Sequence, residues 1–317
     1  MLEIEKDLEE LAQKILQLKK LLQLGERHRE SELRRLQREF REKARKAYQK
    51  LDPWDRVQLA RHPKRPHTMD LIPILFEEFT ELHGDRLFGD DRAVVAGFAY
   101  FEGMPVAVIG HEKGRSTKEK MERNFGMPHP EGYRKAVRIA KLAESYGMPV
   151  ITFVDTAGAY PGVGAEERGQ AEAIAQCLYT FGYLRTPVVS VVIGEGGSGG
   201  ALAFGVANRV YMLENAVYSV ISPEGCAAIL WKDQSKVKEA AKALKLTSWD
   251  LLRLGVIDGI IREPLGGAHW DYMRTARLIK RCLRKALREL LELTPERLVE
   301  DRIKKFSSMG VFQEVMP

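Results

Sequence analysis

The chain has 317 residues and a formal net charge of +6; 44% of the residues are hydrophobic and 30% are charged. This length accommodates one domain of roughly 200–250 residues and a smaller element. No apolar run reaches the length of about 18 residues that a membrane-spanning helix needs. The first ten residues are acidic and lack the basic and apolar segments of a signal peptide, so we expect a cytoplasmic protein with no membrane partner.

The charge and the cysteines restrict the chemistry only partly. A basic protein attracts nucleic acids, acidic proteins or phosphate-bearing ligands, and the charge alone does not choose among them. The cysteines Cys177, Cys226 and Cys282 lie far apart and form no CxxC pair or zinc-binding spacing. A reactive thiol is the alternative for Cys226, near a predicted helix start, but we favour packed thiols throughout and expect no metal in this chain.

The first fifty residues differ from the rest, with no proline and a single glycine, Gly25. Before Gly25, apolar residues alternate in steps of four and three, the spacing of an a/d seam: Ile4, Leu8, Leu11, Ile15, Leu18 and Leu22. After it, a second helical pattern runs through Leu33, Leu36, Phe40, Ala44, Tyr48 and Leu51. The spacing predicts an antiparallel hairpin of two helices, each about 30 Å long, over residues 1–52.

The second helix of this hairpin is rich in basic residues, which permits two interpretations. One is an RNA-binding arm, and the other is a solvated face whose charge is partly neutralised. Four acids lie within reach for ion pairs along the helix: Glu30, Glu32, Glu39 and Glu42. We favour the solvated face and keep weak RNA binding as the alternative.

Pro53, Pro63 and Pro66 mark a linker, and from about residue 70 the sequence pattern is that of alternating strands and helices. Strands are expected at residues 93–101, 106–110, 150–154, 188–193, 209–213 and 217–221. Helices are expected at residues 131–146, at residues 166–181, after the glycines near 200, and from Ser222 onward. This order implies parallel strands linked by helices, in a domain from 53 to 317 with a helical region from about 268.

The sharpest signal is the segment Gly194-Glu195-Gly196-Gly197-Ser198-Gly199-Gly200, which leaves a buried strand and opens a helix. Each glycine costs about 1 kcal/mol inside a helix or strand, so five in seven residues need another reason. A tight packing turn between strand and helix is the plain structural interpretation.

Two enzyme motifs also match this segment formally. Gly194, Gly196 and Gly199 fit GxGxxG, and Glu214 lies near the spacing of the ribose-binding acid of a Rossmann domain. The segment also fits GxSxG around Ser198, as in a hydrolase, whose triad would need His269, the only later histidine. We favour neither, because the segment lies deep in the chain and a single histidine is thin support.

A third interpretation uses the backbone itself. Successive N–H groups at a helix N-terminus are preorganised donors for a developing oxyanion. Chemistry that passes through an enolate or a ureido anion needs such donors and requires no acidic or basic side chain.

Residues 194–203, GEGGSGGALA, closely resemble the glycine signature of the carboxyltransferase alpha subunit of acetyl-CoA carboxylase. Further segments match the family in its own order over roughly residues 55–270: ARHP at 60–63, GH at 110–111, KEK at 118–120, RNFGMP at 123–128, PEGYRK at 130–135, GAYPG at 158–162, GAEERGQ at 164–170, SVISPEGC at 219–226 and EPLGGAH at 263–269. One departure is Ala157, where the family usually has proline.

The resemblance implies a crotonase-like α/β fold, a spiral of ββα units behind an N-terminal helical hairpin. It implies an α2β2 carboxyltransferase in which the beta subunit, not this chain, carries zinc. In the family, carboxybiotin on the biotin carboxyl carrier protein supplies the carboxyl group, and acetyl-CoA becomes malonyl-CoA for fatty acid synthesis. Biotin carboxylase completes this ATP-dependent complex.

By motif match, Gly199 and Gly200 carry the oxyanion hole for the biotin carbonyl and are the catalytic groups of this chain. Gly197 and Ser198 are assigned to the same site. The loop with Gly158, Ala159 and Tyr160 either lines the biotin pocket or is a plain turn. A charged loop faces either CoA phosphates or solvent, and we favour solvent for its residues: Lys113, Arg115, Lys118, Lys120 and Arg123. The beta subunit is expected to make most CoA contacts.

Overall fold

A computed structural model describes residues 3–311 of the chain. Its strands are β1 Glu77–Glu81, β2 Val94–Phe101, β3 Met104–His111, β4 Val150–Thr156, β5 Val188–Gly197, β6 Arg209–Leu213, β7 Val217–Ser219 and β8 Gly259–Ile261. Its α-helices are α1 Glu3–Gln23, α2 Glu30–Tyr48, α3 Pro53–Ala60, α4 Thr68–Leu75, α5 Thr117–Glu122, α6 Pro130–Ser145, α7 Val163–Glu167, α8 Gln170–Tyr183, α9 Ser198–Gly205, α10 Pro223–Leu230, α11 Val237–Ala243, α12 Ser248–Arg253, α13 Tyr272–Leu290 and α14 Pro295–Ser307.

The strands of residues 3–311 form one mixed sheet in the order β1-β2-β3-β4-β5-β6-β8, with β7 paired to the end of β5. Strand β2 pairs antiparallel with β1 and with β3, whereas β3 through β8 pair in parallel. All seven residues of β4 and all ten of β5 are buried, because helices cover both faces of a parallel sheet. The carboxyl ends of β4 and β5 therefore reach one edge together, where open α/β sheets bind ligands.

The predicted N-terminal hairpin is confirmed. Helices α1 and α2 pack through three buried leucines, Leu11, Leu18 and Leu36, and the chain turns at Gly25 with φ of +102°. The Tyr48 hydroxyl, at the end of α2, donates to Glu5 near the start of α1, so the helices are antiparallel. Ile4 belongs to α1, but its side chain lies outside the described part of the chain. No helix within residues 3–311 has both the length and the apolar character needed to cross a membrane.

Several predicted boundaries were wrong, each for a local reason. The expected linker contains helix α3, because Pro53 occupies its first turn and Asp52 and Asp55 form a capping box. The helix expected at 166–181 is instead α7 and α8, separated at Gly169, whose φ of +80° no α-helix accepts. Strand β5 continues four residues beyond its predicted end at 193, whereas β7 ends at Ser219 rather than at 221, and β1 was not anticipated.

A buried cluster around Glu5 joins the hairpin to the remainder of the chain. The Glu5 carboxylate lies 3.0 Å from Nε2 of His269 and 3.6 Å from Nε2 of His62. The rings of these two histidines stack with their centroids 4.1 Å apart. Burial alone raises the pKa of Glu5, but hydrogen bonds from His269 and Tyr48 outweigh it and lower that pKa overall. Burial and the neighbouring His269 lower the pKa of His62 to about 4.

These shifts predict loss of stability in mild acid. The unfolded His62 binds a proton below its usual pKa of about 6.5, whereas the folded ring resists protonation until about pH 4. Stability is therefore lost as the pH falls through this window, and the lowered pKa of Glu5 acts in the same direction at lower pH. Melting temperatures from pH 7.5 to 4.5 should fall less steeply for His62→Gln than for the natural chain. The exposed His83→Gln is the control, and equal slopes for all three proteins would contradict this account.

Candidate active site

The glycine segment forms a turn that carries β5 directly into α9. Gly197 is extended at the N-cap position, Ser198 is exposed with a left-handed φ of +51°, and Gly199 and Gly200 follow in the first turn. The first N–H groups of an α-helix have no partner within the helix, and the helix dipole makes this end positive. Backbone donors at such a helix end are able to bind an oxygen that gains negative charge.

Close packing accounts for most of these glycines. An added Cβ atom would come within 3.0 Å of a neighbouring group at four of the five positions: Gly194, Gly196, Gly197 and Gly200. At Gly197 it would lie 2.0 Å from the carbonyl oxygen of Ala157, and at Gly200 it would lie 2.6 Å from the backbone nitrogen of Ala159. The turn thus rests on the backbone that follows β4, which supports the plain structural interpretation at these four positions.

Gly199 is the exception. A Cβ atom there would make only ordinary contacts, 3.7 and 3.8 Å from methyl carbons of Ile174, and the residue is partly exposed. Packing within the chain therefore leaves room for a side chain at Gly199, although none is present. Gly199 and Ser198 lie at one end of a pocket of about 340 Å³ whose other lining residues are mainly apolar: Leu202, Tyr218, Ser219, Val220, Leu244, Leu251 and Val256.

The structure brings the predicted loop of Gly158, Ala159 and Tyr160 to this turn. Gly158 and Ala159 lie under Gly200, and the amide hydrogen of Gly158 is donated to the Thr156 hydroxyl at 3.1 Å. The Tyr160 ring packs against His129, the N-cap residue of α6, with ring centroids 4.1 Å apart. All the predicted site residues therefore belong to one region, with Tyr160 at its margin.

Two buried side chains behind the turn escaped sequence reasoning. The Tyr133 hydroxyl is buried without a hydrogen-bond partner, and a Cβ at Gly200 would lie 3.0 Å from it. Burial lowers the pKa of His111 to about 3, so this ring is neutral, and its Nδ1 accepts the Asp155 N–H at 3.4 Å. Tyr133 lies in the PEGYRK motif and His111 in the GH motif, but only the fold shows that both meet the glycine turn.

Neither side-chain interpretation of the glycine segment fits this geometry. Gly194 and Gly196 lie inside β5 rather than in a phosphate-binding turn, and the Glu214 carboxylate binds Arg262 at 2.7 Å. Ser198 has the strained backbone of a nucleophile elbow, but His269 is buried beside Glu5 and His62 at the base of the hairpin. A triad that joins Ser198 to His269 is therefore excluded.

The charged loop is divided between internal and solvent-facing groups. Lys113 binds Asp155 at 2.6 Å, and Arg115 donates to the carbonyl oxygens of Pro63 and Arg65. Two further members lie on the surface. Arg123 donates to the Arg92 carbonyl oxygen, and Lys118 is 87% exposed near Glu122. Lys120 lines a cavity of about 290 Å³ that also contains Lys113, Asp155 and Glu195.

The thiols are buried or have a raised pKa, and a separate cluster of ionisable side chains lies at the base of the hairpin. Cys177 and Cys226 are buried in packed cores, and burial raises the pKa of Cys282 to about 12. Among the described residues, Glu5, His62 and His269 have ligand atoms within 4.8 Å of one another. The Nδ1 atom of His62 accepts the Lys64 N–H at 3.2 Å, which places the proton of the neutral ring on Nε2.

Comparison with solved structures defines the class of fold. Transcarboxylase 12S, with methylmalonyl-coenzyme A and methylmalonic acid bound, matches 72% of this chain and 42% of its own with a TM-score of 0.59 and 20% identity. The beta subunit of P. aeruginosa geranyl-CoA carboxylase matches 83% of this chain and 48% of its own, with a TM-score of 0.55 and 18% identity. The chain thus spans less than half the length of these neighbours. The predicted crotonase-like α/β fold is confirmed.

Sequence comparison is more specific. The family model described as acetyl co-enzyme A carboxylase carboxyltransferase-like matches residues 1–310. The acetyl-coenzyme A carboxylase carboxyl transferase subunit alpha of Aquifex aeolicus is 64% identical over 98% of this chain and 97% of its own. The subunit of the same name from a strain of Thermus thermophilus is 56% identical over 99% of both chains. The chain belongs to this carboxyltransferase alpha-subunit family, as its motifs predicted.

The packing analysis separates two adjacent glycines by stability. Gly200→Ala forces a methyl group against the backbone at Gly158 and Ala159, and overpacking of this kind costs about 1–3 kcal/mol. Gly199→Ala meets no obstruction within the chain, and alanine favours a helix. Thermal unfolding should show a melting temperature lowered by several degrees for Gly200→Ala and nearly unchanged for Gly199→Ala. Equal destabilisation by both changes would contradict the packing assigned to the turn.

Proposed function

We propose that this chain, together with a beta subunit, transfers the carboxyl group of carboxybiotin to acetyl-CoA and forms malonyl-CoA. The observation that carries the proposal is Gly199, which packing does not require and which begins a helix beside an apolar pocket. Family membership over the whole chain supports the same reaction. Carboxybiotin, when bound, supplies an activated carboxyl group and a urea oxygen that becomes negative as CO2 leaves.

The backbone of the turn provides what this reaction needs. The N–H groups of Gly199 and Gly200 donate to the urea oxygen as negative charge develops on it, and the dipole of α9 adds to this stabilisation. Gly197 and Ser198 set the approach to the site, and Gly158 and Ala159 hold the turn from below. A biotin group that covers the apolar pocket would exclude water from it, which would strengthen these hydrogen bonds. No acid or base side chain is needed, because biotin acts as the base in this family.

The partners follow from the same proposal. A beta subunit supplies the site for the acetyl thioester and the CoA contacts, in an α2β2 assembly. The length of the neighbours supports a second unit, since this chain covers 42% of transcarboxylase 12S and 48% of the geranyl-CoA carboxylase subunit. The biotin carboxyl carrier protein delivers carboxybiotin, and biotin carboxylase regenerates it with ATP. Zinc in the beta subunit, a cytoplasmic location and weak RNA binding by the hairpin stay predictions.

The turn gives a direct test of the proposed chemistry. A Cβ at Gly199 meets no close neighbour in the chain, so Gly199→Val directs a branched side chain toward the site and obstructs its backbone donors. Loss of one oxyanion donor costs about 10²–10³ in turnover, and we expect a loss of this size. Ser198→Ala leaves every backbone donor in place and should cost less than about tenfold. The assay is malonyl-CoA decarboxylation by the complex with the beta subunit and a biotin derivative, with circular dichroism as the folding control. The opposite ranking would refute a backbone mechanism.

Assembly provides a second test. The isolated chain should be inactive, because the turn is the single oxyanion site that we assign to residues 3–311. Full activity of the isolated chain would refute this division of labour.

We also propose that residues 1–52 and 53–317 act as two units, with the hairpin serving assembly. Removal of residues 1–50 should weaken assembly with the beta subunit, measured by sedimentation, more than it changes turnover of the assembled complex. The truncation also uncovers His62 and His269, so Glu5→Gln in the full chain is the matched control for loss of the buried cluster alone. An unchanged complex after truncation would contradict a role for the hairpin in assembly.

A further inference from the structure

A buried aspartate lies directly beneath the glycine turn. Asp155, near the end of β4, is 2% exposed, and its Oδ1 accepts the N–H of Glu195 at 2.9 Å. The same oxygen lies 2.6 Å from the ammonium of Lys113, which follows β3. Gly194 has no side chain because a Cβ there would lie 2.3 Å from this oxygen. Asp155 therefore fixes the backbone of β5 only a few residues before Gly199.

The charges continue from Asp155 around the site. Lys113 also lies 3.8 Å from the Glu195 carboxylate, which accepts from Arg61 at 2.6 Å. Arg61, at the end of α3, extends to Glu224 in the first turn of α10 at 2.5 Å. The network thus connects the ends of β3, β4 and β5 to two helices, and α10 follows the segment with Val220 that lines the apolar pocket.

Burial of these charged groups costs free energy, and their benefit to the structure lies in the positions that they fix. A buried ion pair is a weak source of stability, because removal of two charges from water offsets much of their attraction. Its specific contribution is directional, since a carboxylate that accepts from a lysine and a backbone N–H fixes the positions of both. Burial raises the pKa of Asp155, but the charge of Lys113 outweighs it and holds that pKa below its usual range. The Asp155 carboxyl group is therefore ionised at neutral pH.

We propose that Asp155 and Lys113 are positioning residues for the reaction, which align the N–H groups of Gly199 and Gly200 through the backbone of Glu195. This inference rests on the proposed function of the turn. The pair does not touch the substrate; it sets the angle at which β5 enters α9. Misplacement of a reacting group by about 1 Å costs on the order of 100-fold in rate, so a small shift of this strand end is sufficient to impair catalysis.

The test compares Asp155→Asn with a matched change elsewhere. Asp258 also accepts a strand N–H, from Val210 at 2.6 Å, and also pairs with a lysine, Lys305. It directly precedes β8, the last strand in the order of the sheet. In the complex with the beta subunit, Asp155→Asn should lower kcat by about 10- to 100-fold with KM for malonyl-CoA within about twofold. Asp258→Asn removes the same kind of bond at a carboxylate that is 27% exposed, and it should leave kcat within about twofold.

A double variant separates positioning from stability. Lys113→Met with Asp155→Asn removes both charges, so neither is left buried without its partner, and the melting temperature should recover relative to Lys113→Met alone. The kcat should stay low, because a neutral amide oxygen holds the Glu195 N–H less firmly than a carboxylate does and has no lysine partner to fix its position. Recovery of kcat together with stability, or a kcat for Asp155→Asn within about twofold of the natural complex, would overturn the inference.

Hydrogen exchange distinguishes failure of this inference from failure of the proposed function. In the full chain, Asp155→Asn should speed amide exchange over residues 195–200, and Asp258→Asn should not, whatever reaction the complex performs. An unchanged exchange rate over residues 195–200 overturns the positioning role. Faster exchange in a complex without carboxyltransferase turnover would instead overturn the function proposed for the turn.

Discussion

The site depends on the contact between two stretches of backbone, the turn from β5 into α9 and the segment that follows β4. Hydrogen atoms at Gly197 and Gly200 are what allow this approach, since a methyl group would lie 2.0 Å from the Ala157 carbonyl or 2.6 Å from the Ala159 nitrogen. The contact fixes the start of α9, and with it the direction of the first free N–H groups. Parallel pairing of β4 with β5, both fully buried, provides the rigid base.

Electrostatics strengthen the same arrangement from below. The carboxylate of Asp155 holds the Glu195 N–H in an interior from which water is excluded, where hydrogen bonds to charged groups are strong. The neutral His111 ring accepts the Asp155 N–H, so both sides of this residue are fixed. The result is a positive helix end with fixed donors, and under the proposed function these need little rearrangement when an oxyanion forms.

The sequence predicted the fold, and it named candidate site residues that the structure brings into one region, but it did not give the reason for each residue. Strong apolar patterns located β4 and β5, and the a/d seam located the hairpin, because these signals are local. The distinction between Gly199 and Gly200 was not accessible, since it depends on Ile174 and Ala159, which only the fold brings near. For the same reason Asp155 carried no signal, and Lys113 was grouped with solvent-facing residues of its loop. Helix α3 was missed because a proline that starts a helix also marks a linker.

The most direct test of the central claim is a structure of the complex of this chain and its beta subunit with a biotin derivative bound. The backbone mechanism predicts the urea oxygen at about 2.7–3.1 Å from the backbone nitrogen of Gly199 or Gly200, with the biotin rings against the apolar pocket. A urea oxygen held by side chains, or biotin in the polar cavity with Lys113 and Glu195, would contradict it.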